Sequence, residues 1–117
     1  MGAWDIAIFA REENEDFLEE LGSLEDREVV EAIRDACVLA QKQGTVSEEE
    51  RLNGLAAATV AAIWAGAPFS AGDVADAHPF LRDLIGSGDE ELREAAADLL
   101  ENAEVEEDLE VYVEALS

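Results

Sequence analysis

From Leu52 to Gly72 the chain runs 21 residues without a charged side chain, although 32% of its residues are charged. Such a run has to be buried, either in a bilayer, for which about 20 apolar residues suffice, or inside a protein core. Its composition favours the core: it is mostly Ala and Gly, contains Asn53, Thr59, Pro68 and Ser70, and breaks at Gly66-Ala67-Pro68. The residues in front of it predict a helix start. In Ser47-Glu48-Glu49-Glu50, Ser47 can accept from the Glu50 amide while the Glu50 carboxylate reaches back, a capping box. Leu52, Leu55, Ala56, Thr59, Val60, Ile63 and Trp64 follow at helical spacing, and the intervening alanines make the helix apolar nearly all round. A helix without a polar face needs neighbours on every side, so Leu52 to Ala65 is expected at the centre of the fold.

The rest of the chain supplies those neighbours. Trp4, Ile6 and Ile8 alternate with Asp5 and Ala7, which predicts a short extended segment laid on the core. Asn14 is the expected N-cap of a first helix carrying Phe17, Leu18 and Leu21 and stopped by Gly22. Between Ser23 and Gly44, Val30, Ile33, Cys37 and Ala40 repeat at i, i+3, i+7 and i+10, an amphipathic helix. Pro68 to Gly88 reads as a connector with helical turns around Asp73 to Asp76 and from Pro79 to Ile85. After Asp89, Leu92, Ala95, Ala96, Leu99 and Ala103 form one more stripe, and Leu109, Tyr112, Val113 and Leu116 a last one. The expectation is a single all-α domain over residues 1–117, a bundle of five to six helices around the Ala-rich one. Its predicted core holds Trp4, Ile6, Phe9, Phe17, Leu21, Val30, Ile33 and Cys37 from the N-terminal part. Leu55, Thr59, Ile63, Trp64, Leu92, Leu99, Tyr112 and Leu116 complete it, with an exposed, partner-binding Trp4 as the alternative.

Thirty Asp and Glu stand against seven Lys and Arg, a formal net charge of -23. Small soluble domains commonly carry about 2 to 8 charges. Such an excess is repelled by phosphate backbones and anionic leaflets, so direct nucleic-acid or membrane binding is not expected and a protein partner, basic if electrostatically steered, is. The charge is uneven: residues 11–35 hold 11 acidic and 3 basic residues, residues 88–117 hold 12 and 1. Glu90, Glu94, Asp98 and Glu101 fall at i, i+4, i+8 and i+11, four carboxylates in one row, continued by Glu107, Glu110 and Glu114. The row is either a solvated face or a phosphate-like surface for a basic cleft.

Nothing in the sequence assembles a catalytic constellation. Cys37 lies on an apolar helix face and His78 precedes Pro79 in the connector, so nucleophile and base are not paired. One Cys and one His build neither a disulfide nor a Cys/His zinc site. Glu12, Asn14 and Asp16 match the first ligand positions of an EF-hand loop, but Phe17 and Ser23 stand where Gly and Glu are required. No cofactor and no metal site is therefore expected. The N-terminus lacks a secretory signal pattern, which makes the cytoplasm the expected compartment.

Met1, Gly2, Trp4, Phe9, Glu12, Asp16 and Phe17 together resemble the opening pattern of a bacterial family, domain of unknown function 4259, with Asp5 and Ala7 where that family usually has Gly and Arg11 where it often has Asn. The Ala-rich helix ending in Ala65-Gly66-Ala67-Pro68 is similar to it as well. The resemblance implies a small helical bacterial protein and transfers no catalytic residue. The functional expectation is a non-catalytic protein-interaction module. The alternatives are a nucleic-acid mimic or toxin-immunity protein, and a small enzyme or divalent-cation binder using clustered carboxylates; homo-oligomerisation stays open.

Overall fold

The computed structural model describes residues 4–41, 47–67, 72–103 and 109–116. They form eight helices and no strand: α1 (Trp4–Phe9), α2 (Glu12–Leu21), α3 (Asp26–Ala40), α4 (Glu48–Trp64), α5 (Gly72–Ala77), α6 (Phe80–Asp83), α7 (Glu90–Glu101) and α8 (Glu110–Leu116). The all-α bundle is as expected, with two more helices than the upper expectation. The short α5 and α6 occupy the two helical turns foreseen in the connector, and α1 replaces the extended segment.

The central position of α4 follows from its side chains. Every residue from Gly54 to Trp64 is buried, and α1, α2, α3, α6, α7 and α8 all pack against it. The capping box forms as expected: Ser47 Oγ accepts from the Glu50 amide at 3.1 Å, and Glu50 Oε1 accepts from the Ser47 amide at 2.9 Å. Small residues let neighbours come close. A Cβ at Gly54 would collide with the Ala40 Cβ and lie 3.3 Å from the Ala36 carbonyl oxygen, so the α3–α4 crossing requires glycine there. The helix stops at Gly66, whose φ of 113° suits glycine, while the Ala67 amide turns back to the Ala62 carbonyl at 3.0 Å. Among the described residues no helix is long and apolar enough to cross a membrane.

The extended reading of the N-terminus fails because a six-residue window fits two periods. Trp4, Asp5, Ile8 and Phe9 are buried together on one helical face, and Ile6 is 45% exposed. Trp4 is a core residue rather than an exposed anchor: its Nε1 donates to Thr59 Oγ1 at 2.8 Å, and Thr59 Oγ1 donates on to the Leu55 carbonyl at 2.8 Å. Asn14 is not an N-cap. Arg11 occupies that position in α2, and Asn14 is buried one turn inside, its Nδ2 donating to the Ile8 carbonyl at 2.8 Å. That carbonyl, at the end of α1, otherwise accepts only a long 3.4 Å bond from the Arg11 amide.

Elsewhere the expected faces hold at Leu21, Ile33, Cys37, Leu92, Ala95 and Ala96 and differ at single positions. In α3 the buried set is Val29, Ile33 and Cys37, spaced i, i+4, i+8, leaving Val30 half-buried. The helix ends at Ala40, and the expected stop, Gly44, lies outside the described residues. In α7 Leu100 is buried and Leu99 is half-buried, and in α2 Phe17 is half-buried beside the buried Leu18 and Leu21. In each case two adjacent apolar residues competed for one inward position.

Candidate functional site

The expected acidic row is real as a surface. Glu90, Glu94, Asp98 and Glu101 are all exposed on α7, as are Glu110 and Glu114 on α8; Glu107 lies outside the described residues. The row is not uniform. Asp98 accepts from Gln41 Nε2 at 2.9 Å and from Asn102 Nδ2 at 3.1 Å, which ties it to the end of α3 and of its own helix. Asp89, the N-cap of α7, accepts from the Leu92 amide at 2.9 Å and pairs with Arg34 at 2.8 Å. These groups hold α7 in place and are less available to a partner.

A second concentration of charge lies on α2, within the acidic stretch 11–35. Helix α2 carries Glu12, Glu13, Glu15, Asp16, Glu19 and Glu20, six carboxylates in ten residues with no basic residue. Among the described residues the ion pairs join Arg34 to Asp89, Arg51 to Glu48 and Arg82 to Asp76, and none of these three reaches α2. Between α2 and the start of α4 lies an open cleft of about 540 Å³ walled by Glu13, Asp16, Glu19, Glu20 and Glu49. Phe17 and Asn53 line it and also line a second hollow of about 290 Å³ on the α3 side, where Ala32, Ala36 and Leu39 give apolar walls and Asp35 and Glu50 a polar rim. Asn53 Oδ1, between the two, is closed off from solvent and accepts no hydrogen bond. The signals in the sequence were Phe17 set among carboxylates and the one amide in an otherwise apolar run. In sequence both fit equally well inside core helices.

A third hollow of about 380 Å³ lies where α3, α4 and α7 meet, over Ala40, Leu55, Leu99 and Ala103. Its polar groups already serve one another: Gln41 and Asn102 bond Asp98, and Arg51 pairs with Glu48 at 2.9 Å, holding that carboxyl below its ordinary range. No group of three or more His, Cys, Asp or Glu residues among the described ones is arranged to hold a metal ion. Cys37 is fully buried, and desolvation pushes its thiol up to about 12, so the reactive thiolate is suppressed at neutral pH. His78 packs its ring against Phe80, centroids 6.1 Å apart, and its amide donates to the Val74 carbonyl.

The buried polar groups form a separate set around α1. Asp5 is fully buried and Tyr112 of α8 is 7% exposed. Burial, reinforced by the negative charge of Asp5, pushes the Tyr112 phenol up to about 12. With Trp4–Thr59 and Asn14–Ile8 this contact secures α1 between α2, α4 and α8. No family model, curated protein or solved structure matches the chain.

Proposed function

We propose that this chain is a non-catalytic interaction module that engages a basic protein partner through its acidic helical surface. The observation that carries the reading is α2, whose six carboxylates stand outside the three ion pairs and border an open cleft. Exposed charge of one sign raises the encounter rate with a surface of the other and repels phosphate polymers and anionic lipid. The compartment proposed is the cytoplasm of a bacterium, and kinship with domain of unknown function 4259 rests on the N-terminal residues and the Ala65-Gly66-Ala67-Pro68 end of the Ala-rich helix.

The test is affinity capture from the native host with the parent chain and with a variant carrying Glu12→Gln, Glu15→Gln and Glu19→Gln. The expected result is a basic protein that the parent retains at low salt, releases as salt rises, and that the variant fails to retain. A partner held equally by both, or one that is itself acidic, overturns the reading.

A nucleic-acid mimic, including a toxin-immunity role, is the second reading, supported by the exposed Glu90, Glu94 and Glu101 with Glu110 and Glu114 beside them. Twelve residues of α7 span about 18 Å at 1.5 Å per residue, the length of roughly five base pairs. It predicts that Glu90→Gln, Glu94→Gln and Glu101→Gln, rather than the α2 changes, release the captured partner.

A further inference from the structure

We infer that the cleft shared by α2, α3 and α4 is the docking groove for an amphipathic basic segment of a partner protein, seated with its apolar side chains on Phe17 and Leu39 and its Lys and Arg residues against the acidic walls. The inference rests on the interaction reading above and names the site and partner chemistry for it.

Two properties of the groove select this occupant. Its α3 half is apolar, with Ala32, Ala36, a half-buried Phe17 and a Leu39 that is 38% exposed. An apolar trough left open by a protein this charged offers a partner's apolar side chains a place to leave water. Its α2 half has five carboxylates along its walls and, among the described residues, no basic one, so an acidic or neutral segment would not be favoured there over a basic one. Apolar floor beside acidic wall matches the two faces of an amphipathic basic helix. A ten-residue wall at 1.5 Å per residue is about 15 Å long, room for just under three turns of a partner helix at about 5.4 Å each. A second copy of this chain is a poor occupant, since each brings a net charge of -23.

The probe is a fluorescein-labelled synthetic 18-residue helix with Leu at i, i+3, i+4 and i+7 positions and Lys elsewhere. Two counterparts replace Lys by Glu or Leu by Ser. Anisotropy titrations are run with the parent chain, with Leu39→Lys, and with the α7 variant Glu90→Gln/Glu94→Gln/Glu101→Gln. The inference expects the Leu–Lys peptide to bind the parent, the Ser–Lys peptide to bind at least about tenfold more weakly, and Leu39→Lys to lower Leu–Lys affinity at least about tenfold. The α7 variant should stay within about twofold of the parent. Leu39 is exposed, so Leu39→Lys should fold; if its circular dichroism departs from that of the parent, Asp16→Lys on the opposite wall takes its place.

Equal binding of the Ser–Lys peptide, an unchanged Leu39→Lys variant, or a larger loss in the α7 variant sinks the groove and leaves the basic-partner reading standing. Loss of self-association in Leu39→Lys, seen by gel filtration, assigns the groove to a second copy and also overturns the proposal. If the Leu–Lys peptide does not bind at low salt, or the Leu–Glu peptide binds as well, groove and basic-partner reading fall together.

Discussion

The N-terminal pair α1–α2 and the C-terminal helix α7 use polar groups in opposite ways. Around α1 and α2 the polar contacts are buried, with Trp4 on Thr59, Asn14 on the Ile8 carbonyl and Asp5 beside Tyr112, and the surface carboxylates of α2 lie outside the three ion pairs. On α7 the polar contacts are on the surface: Asp89 caps the helix and pairs with Arg34, and Asp98 bonds Gln41 and Asn102. Carboxylate spacing along a helix therefore says which charges share a face and nothing about which of them hold the fold. Contacts from other elements decide that.

The buried contacts carry the larger energies. Asn14→Ala leaves the Ile8 carbonyl with only the long 3.4 Å bond from the Arg11 amide and opens a small void, so a loss of about 2 kcal/mol is expected. Asp89→Ala removes a cap and an exposed ion pair, for about 1 kcal/mol. Urea titration of both variants checks the ranking, and Trp4 emission should shift red only in the first. Equal losses would mean that the two ends are anchored alike.

Alkaline titration probes the same buried set. The folded Tyr112 phenol stays protonated to about 12 while the unfolded one ionises near 10, so the unfolded chain holds fewer protons between those values. Stability from this group is complete below pH 10 and falls as pH rises toward 12, by about 2 kcal/mol at about 1.4 kcal/mol per pH unit. Tyr112→Phe should flatten that part of the melting-temperature profile; a profile with the same slope in both chains refutes the assignment.

What could be read from the sequence follows from how far each signal extends. The centre of the fold was legible because α4 is long, starts at a capping box and is apolar all round, so no other placement satisfies it. The α1 segment was not, because six residues fit a strand period and a helix period equally, and the partner that decides between them, Thr59, is 55 positions away. Val29 against Val30 and Leu99 against Leu100 were undecidable for a related reason: both members of each pair are apolar, and only the position of α4 selects the inward one. The α7 row was visible as spacing. The cleft was not, because it is a gap between three helices, and Phe17 appears in sequence as one more core residue.

Neutralising the middle carboxylate of each helix sharpens the contrast further. Asp16 stands at i±3 or i±4 from Glu12, Glu13, Glu19 and Glu20, four like-charge neighbours at about 0.2 to 0.5 kcal/mol each, so Asp16→Asn should stabilise the protein by about 1 kcal/mol. Asp98 has two such neighbours, Glu94 and Glu101, but also accepts from Gln41 and Asn102. Relief of repulsion and loss of charge-assisted bonds then offset, and Asp98→Asn should not raise the melting temperature. A rise in both variants would show that the Asp98 bonds carry no stability.

The smallest effect separates charge repulsion from everything else on α7. Glu94 is exposed, lies at i+4 from Glu90, i+3 from Glu91 and i-4 from Asp98, and makes none of the contacts that engage Asp89 and Asp98. Arg93 is adjacent in sequence and projects about 100° away around the helix, so it offers Glu94 little relief. Glu94→Gln should therefore gain about 0.5 kcal/mol at 10 mM salt, where the screening length is about 30 Å, and almost nothing at 1 M, where it is about 3 Å. A gain that persists at 1 M would have to come from helix propensity, and α7 would then carry no repulsion for a basic partner to relieve.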